Sequence, residues 1–102
     1  MTPEGKIKAQ VNKLLDDPRI YSFMPVQNGM GAAGLDYHCA VCSPNACHAF
    51  FIEAKAPGKK PSGRQKVLIE RLRDIGAAVF VIDGDKGLNE LRAWLNNLWG
   101  VL

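Results

Sequence analysis

The fold is decided by residues 35–55, LDYHCAVCSPNACHAFFIEAK. A four-residue hairpin loop at Ser43-Pro44-Asn45-Ala46 would join two antiparallel strands. Counting back along both strands then sets Asp36 opposite Glu53, so two carboxylates meet on one face of the predicted sheet. The same register predicts three further pairs, which are Cys42 with Cys47, Ala40 with Ala49, and His38 with Phe51.

The predicted proximity of the Asp36 and Glu53 carboxylates needs a physical explanation. At a cross-strand Cβ separation of about 5 Å, like charges destabilise a sheet, so the pair makes sense if a cation lies between them. Carboxylate oxygens favour a hard divalent ion, and Lys55 lies on the same strand face as Glu53, with Ala54 on the other face. Asp36 in particular is hard to explain structurally, because Asp is depleted from strands.

Length and composition indicate one small domain over residues 1–102, with a formal net charge of +3. The apolar content of 47% argues against disorder. No apolar run approaches the roughly 20 residues that span a membrane, and the start of the chain lacks the apolar core of a secretory signal. We therefore expect a cytoplasmic protein, in which three cysteines indicate reduced thiols or a metal more than a disulfide framework.

Positive charge is concentrated in residues 55–73, which carry seven basic side chains and one acidic one and so a local charge of +6. Such a block could bind the phosphates of a nucleic acid independently of base sequence. A solvated helix face preceded by a Lys-rich loop explains the same residues equally well. Its position beside Asp36 and Glu53 favours nucleic acid. The expected contact residues are Lys59, Lys60, Arg64 and Lys66.

Apolar periodicity predicts three helices. The first begins at Thr2-Pro3, an N-cap followed by proline, and ends near Asp17-Pro18. The second begins with the capping-box sequence Ser62-Gly63-Arg64-Gln65 and ends at Gly76, and the third follows Asp83-Gly84-Asp85. The side chains expected to be buried are Ile7, Val11, Leu14 and Leu15 in the first helix, Val67, Leu68, Leu72 and Ile75 in the second, and Leu88, Leu91, Trp94, Leu95 and Leu98 in the third.

Four strands complete the prediction. A short strand over residues 20–26 and a glycine-rich loop over 28–34 precede the hairpin, and a continuous apolar strand over 77–82 follows the second helix. The order αβββαβα predicts an α/β domain with a mixed four-stranded sheet, in which the second helix crosses over to the last strand. The glycine-rich loop is either a substrate contact or a simple connection.

The chain resembles the VRR-NUC nucleases of the PD-(D/E)XK superfamily, which are similar to Holliday-junction resolvases and include stand-alone bacteriophage proteins. The resemblance covers residues 4–83 and rests on Gly34-Leu35-Asp36, Glu53-Ala54-Lys55, Glu4 in the first helix and Gln65 opening the next helix. These motifs are specific together and weak singly. The family usually has proline where this chain has Leu35, and we expect activity to survive because that proline shapes the strand. The implied fold is a restriction-endonuclease-like core.

The resemblance implies a Mg²⁺ or Mn²⁺ site formed by Asp36, Glu53 and the backbone carbonyl of Ala54. The ion would activate a water molecule and neutralise charge on the phosphodiester. Lys55 would either orient or help deprotonate that water, or stabilise the transition state, and these roles stay open. The number of metal ions, one or two, is also open.

Two further catalytic residues are implied by the resemblance, and both have structural explanations as well. Glu4 would complete the coordination sphere directly or through water, but a carboxylate in a first helical turn is also favoured by the helix dipole. Gln65 would position the water or the scissile phosphate, but it is also the third residue after Ser62, where a capping-box side chain belongs.

The implied activity is cleavage of DNA, and we expect branched or otherwise structured DNA such as Holliday junctions, because so small a core lacks a separate sequence-reading module. Junction resolution, flap cleavage and nicking all remain compatible. A homodimer is expected, with Trp94 and Trp99 of the last helix as a candidate interface. If the chain is phage-encoded, it would act in the host cytoplasm.

A competing prediction comes from the four potential zinc ligands Cys39, Cys42, Cys47 and His48. They would make the chain a non-catalytic, zinc-stapled nucleic-acid-binding module. A straight strand points Cys39 and Cys42 to opposite faces, and Ala40-Val41 lacks turn chemistry. We therefore predict no zinc, and expect Cys42 and Cys47 to be a reduced, partly buried pair near the hairpin tip.

Overall fold

A computed structural model describes residues 1–25 and 34–100 of the chain. The elements in chain order are α1 (Pro3–Leu15), β1 (Ile20–Phe23), β2 (Tyr37–Cys42), β3 (Cys47–Ala54), α2 (Gly63–Asp74), β4 (Ala78–Ile82) and α3 (Asp85–Trp99). The predicted α/β class and the order αβββαβα are confirmed. Apart from Gly34, the predicted glycine-rich loop lies outside the described residues. Within the described ranges, no helix is long and apolar enough to cross a membrane.

The four strands form one mixed sheet in the order β1-β2-β3-β4. β2 is antiparallel to both β1 and β3, whereas β3 and β4 run parallel and are joined through α2, as a parallel pair requires. The predicted hairpin register is confirmed from Cys42 opposite Cys47 to Tyr37 opposite Ile52. Continued by one pair, this register sets Asp36 beside Glu53.

The main core lies between one face of the sheet and the helices α1 and α3. The α1 N-terminus begins as predicted, since the Gly5 backbone N–H donates to Thr2 Oγ1 at 3.0 Å. From α3, the Trp94 ring packs against Phe50 and Phe80, with centroids 5.2 and 5.5 Å apart. The buried members of this core are Ile7, Val11, Leu15, Tyr37, Cys39, Val41, Phe50, Ile52, Ala54, Ile82, Leu88, Leu91 and Leu95.

α2 covers part of the opposite face of the sheet over a smaller core of Leu35, Ile69 and Val79. Its predicted capping box is present, because the Ser62 backbone N–H donates to Gln65 Oε1 at 2.8 Å and the Gln65 N–H donates to Ser62 Oγ at 3.3 Å. The N-terminus of this helix is therefore fixed by its own sequence.

The predicted buried side of α2 is partly wrong. Leu68 and Leu72 pack against the smaller core, but Val67 and Ile75 are 67% and 77% exposed, while Ile69 is 5% exposed. Because all five residues are aliphatic and closely spaced, periodicity alone does not fix which stripe meets the sheet. The tertiary contacts of the helix decide it.

The hairpin tip differs from the prediction in its cysteines. Cys42 and Cys47 form a disulfide and are exposed, rather than being a reduced, partly buried pair. They are the last pair of the β2–β3 ladder, which brings their Cβ atoms within reach of each other. Cys39 is a free thiol in the main core, and its burial raises its pKa to about 12.

The corrected orientation of α2 can be tested by unfolding. Ile69→Ala should lower the free energy of unfolding by about 2–5 kcal/mol, because it empties part of the smaller core. Val67→Ala, which shortens an exposed aliphatic side chain two residues earlier, should change it by no more than about 0.5 kcal/mol. Urea denaturation of both variants measures these values, and comparable losses would show that Val67 is buried after all.

Candidate active site

Asp36 and Glu53 are held together by reciprocal hydrogen bonds between adjacent strands. The Asp36 backbone N–H donates to Glu53 Oε1 at 3.2 Å. In return, the backbone N–H of Ala54 donates to Asp36 Oδ2 at 2.9 Å. Each carboxylate therefore accepts a hydrogen bond from the backbone of the segment that carries the other, and turning either side chain away would break the bond that it accepts.

The second oxygen of Glu53 is bound by two other predicted site residues. Gln65 Nε2 donates to Glu53 Oε2 at 2.7 Å, and Lys55 Nζ lies 3.1 Å from the same oxygen. Within residues 1–25 and 34–100, Glu53 is the one charged residue that is buried, at 2% exposure. The structure thus places four predicted site residues, Asp36, Glu53, Lys55 and Gln65, in one connected cluster.

The burial of Glu53 has an electrostatic consequence. Desolvation raises the pKa of this carboxyl group, and the neighbouring charge of Asp36 raises it further, while Lys55 acts in the opposite direction. The net direction is upward, so Lys55 does not fully offset burial and the second carboxylate at Glu53. A divalent cation bound at the pair would favour the ionised form of Glu53.

Lys8 is a site residue that the sequence interpretation missed. Its Nζ lies 3.8 Å from Asp36 Oδ1 and 3.5 Å from Glu4 Oε2. Glu4 therefore reaches Asp36 through Lys8 and not by direct contact. The i, i+4 spacing of Glu4 and Lys8 was the available signal, since such a pair shares one helix face.

A partly buried hydrogen bond positions α1 against this cluster. The hydroxyl of Tyr37, the residue after Asp36, donates to Asn12 Oδ1 at 2.8 Å and lies 3.3 Å from the Lys8 carbonyl oxygen. Burial, with the nearby charge of Asp36, raises the pKa of Tyr37 to about 12, so it stays a neutral donor. Tyr37 thus fixes the helix that carries Glu4 and Lys8.

The predicted DNA-contacting residues are all exposed and follow β3 in the chain. Lys59 and Lys60 lie in the loop before α2, and Arg64 and Lys66 lie in its first turns. The loop is tied to the end of β4 because the Gly58 backbone N–H donates to Asp83 Oδ2 at 3.3 Å. Lys59 and Lys60 also line a cavity of about 230 Å³ beside Asp83.

The chemistry of the donor set fits a hard divalent cation. Two adjacent carboxylates, one of them desolvated, offer oxygen ligands, as Mg²⁺ and Mn²⁺ prefer. In the part of the chain that the structure describes, no three or more His, Cys, Asp or Glu side chains converge on one point. An ion held here would therefore depend on Asp36, Glu53, a backbone carbonyl and water molecules, which is an ordinary arrangement for Mg²⁺.

The four potential zinc ligands are not brought together in the same way. Cys39 lies in the main core, and Cys42 and Cys47 are bonded to each other at the exposed tip. His48 packs its ring against Trp94, with centroids 6.2 Å apart. These side chains take part in three separate sets of contacts.

No protein-family model matches this chain, and the search of curated proteins likewise finds no match. The resemblance to the VRR-NUC nucleases therefore rests on the motif residues themselves. These are Glu4, Asp36, Glu53, Lys55 and Gln65, of which Asp36, Lys55 and Gln65 each contact Glu53.

The buried carboxyl group predicts a specific dependence of stability on pH. With its raised pKa, Glu53 binds a proton more tightly in the folded protein than in the unfolded chain, where the value is near 4.5. Its contribution to the free energy of unfolding therefore falls as pH rises above about 4.5. We expect the free energy of unfolding of Glu53→Gln, measured with urea in EDTA, to fall less steeply with rising pH than that of wild type.

Glu70→Gln, at an exposed position of α2, is the matched control and should follow the wild-type profile. Since the substitution also removes the contact with Lys55, the slope against pH is the informative quantity, and the absolute offset is not. Identical slopes for wild type and Glu53→Gln would show that Glu53 titrates normally.

Proposed function

We propose that this chain is a metal-dependent endonuclease that hydrolyses phosphodiester bonds in DNA. The observation that carries the proposal is the interlocked pair Asp36 and Glu53, of which Glu53 is buried and in contact with Lys55. An acidic pair with one buried member is costly to a fold, and a function at the site is a reason to keep it. The resemblance to VRR-NUC nucleases names phosphodiester hydrolysis as that function.

Asp36, Glu53 and the carbonyl of Ala54 are the groups that would hold Mg²⁺ or Mn²⁺. When bound, such an ion lowers the pKa of a water molecule and neutralises charge on the phosphodiester. Lys55, in contact with Glu53, would either orient or help deprotonate that water or stabilise the transition state.

Gln65 acts on Glu53 in this proposal. Its carbonyl oxygen accepts from the Ser62 backbone in the capping box, and its amide nitrogen donates to Glu53. The start of α2 therefore sets the orientation of the carboxylate through one side chain. Lys8 of α1 plays a comparable part at Asp36, where its positive charge lies near the Asp36 carboxylate and links it to Glu4.

DNA is the substrate that the charge distribution favours. Residues 55–73 carry a local charge of +6 and begin at the site itself, so a phosphate backbone passing the carboxylates would meet exposed basic side chains. We propose branched DNA, including four-way junctions, as the substrate and a homodimer acting in the cytoplasm as the active form. Since Trp94 packs inside the fold, such a dimer would use the exposed side of α3.

The central test is Asp36→Asn. Cleavage of a four-way junction with Mg²⁺ or Mn²⁺ should fall by about a hundredfold or more, because one metal ligand loses its charge. Titration of Mn²⁺ by calorimetry should show weaker uptake in the same variant. Asp74→Asn, which removes an exposed carboxylate at the end of α2, should cleave like wild type.

Chelation separates a catalytic metal from a structural one. EDTA should stop cleavage and leave the circular dichroism spectrum unchanged, because neither Asp36 nor Glu53 is a member of the two hydrophobic cores that hold the fold together. Unfolding in EDTA would indicate a structural zinc site and a binding module instead. Full activity of Asp36→Asn would remove the basis of the nuclease proposal.

The basic loop predicts a measurable salt dependence. Replacing Lys59 and Lys60 together by alanine should reduce the slope of log binding constant against log salt by about 2, since each lysine that neutralises a phosphate contributes about 1. Replacing Lys13 and Arg92 removes the same charge from the α1 and α3 side of the sheet and should leave the slope unchanged. Binding to a four-way junction in EDTA measures both, and equal slopes for all three proteins would exclude the loop from the interface.

A further inference from the structure

An aromatic row crosses three strands of the sheet next to the carboxylates. Phe23 on β1 is paired with His38 on β2, which is paired with Phe51 on β3. Their rings make edge-to-face contacts, with centroids 6.5 Å apart for Phe23 and His38 and 5.1 Å apart for His38 and Phe51. Alternation along β3 places Phe51 on the same face as Glu53. We call Phe23, His38 and Phe51 the aromatic row.

One end of the aromatic row is open to solvent. Phe51 packs against the core beneath α2, but Phe23 is 51% exposed. Tyr21, two residues earlier and so on the same face of β1, is 67% exposed. Two large aromatic side chains therefore lie exposed to solvent on the same face of one strand, where they can contact a binding partner.

The open end lies within reach of a substrate bound at the carboxylates. Phe23 is two strands away from Glu53 and two residues along, which corresponds to about 12 Å at ordinary sheet spacings. A strand of DNA whose phosphate lies at Asp36 and Glu53 would therefore bring the base of a nearby nucleotide over the aromatic row.

Charge distinguishes between the possible occupants of this surface. α2, which covers the neighbouring part of the same face, carries Arg64 and Arg71 along a cavity of about 390 Å³ that Val67 and Leu68 also line. A second copy packed on this face by two-fold symmetry would bring two basic blocks together, which is unfavourable. A polyanion with flat apolar bases matches both the charge and the aromatic rings.

We propose that Tyr21 and Phe23, backed by His38, form a stacking platform for unpaired bases of the DNA substrate. The proposal rests on the nuclease function and refines its substrate class. Bases in a duplex are already stacked on each other, whereas unpaired bases at a junction, flap or single-stranded end can lie on an aromatic side chain. The platform would then favour DNA with unpaired nucleotides near the scissile phosphate.

The test compares single-stranded and duplex DNA of one sequence by fluorescence anisotropy in EDTA, where no cleavage occurs. Phe23→Ala should weaken binding of the single strand by about tenfold and binding of the duplex by less than about twofold. Phe23→Leu, which keeps apolar volume without a ring, should behave like Phe23→Ala. Ile75→Ala is the matched control, because Ile75 is also a large exposed apolar side chain, at 77% exposure, but lies near the Cys47 end of β3.

A direct readout of stacking completes the test. 2-Aminopurine placed in the single strand should be quenched on binding to wild type and to Ile75→Ala, and should recover its fluorescence with both Phe23 variants. Urea unfolding of each variant confirms that the fold is intact. Equal losses on single strand and duplex, or unchanged quenching, would overturn the platform.

The remaining outcomes are also decisive. A Phe23 variant that dissociates a dimer in sedimentation velocity while binding DNA normally would assign the surface to a second copy and overturn the proposal. Because the binding measurements need no metal, they are independent of catalysis. Selective single-strand loss in Phe23→Ala combined with full activity of Asp36→Asn would keep the platform and reject the nuclease.

Discussion

The structure depends on the exchange of hydrogen bonds between Asp36 and Glu53 across the β2–β3 boundary. Each carboxylate accepts a hydrogen bond from the opposite backbone, at 3.2 Å for Glu53 and 2.9 Å for Asp36. The same contacts therefore join the two segments of chain and fix the geometry of the site. The cost of burying Glu53 is reduced by Gln65 and Lys55 at its other oxygen. The start of α2 and the β2–β3 hairpin therefore both hold Glu53 in place.

Much of this arrangement was predictable because short-range rules govern it. The turn sequence at residues 43–46 fixes the hairpin register, and that register alone puts Asp36 next to Glu53. The starts of α1 and α2 follow from Thr2 and Ser62, whose side chains accept hydrogen bonds within their own helices. These features involve residues close in sequence or in simple register.

The parts that sequence did not predict depend on contacts between distant elements. Which side of α2 is buried is set by its packing on Leu35 and Val79, and the pattern of aliphatic residues in the helix fits more than one orientation. Lys8 belongs to the site because Tyr37 holds α1 against β2, a contact between residues that are 25 to 29 positions apart. The pairing of Cys42 with Cys47 was predicted, but not the bond between them.

The parallel pairing of β3 with β4 has a consequence for how the protein is made. Glu53 lies beside Val81, and the Lys55 N–H donates to the Ile82 carbonyl at 2.9 Å, so the strand that bears Glu53 and Lys55 is completed by β4, which comes only after α2. A ribosome must translate from Glu53 through α2 to Ile82 before this neighbour exists. The acidic pair consequently reaches its observed arrangement only after the hairpin has been made, and a product that stops within α2 would lack the strand that supports it.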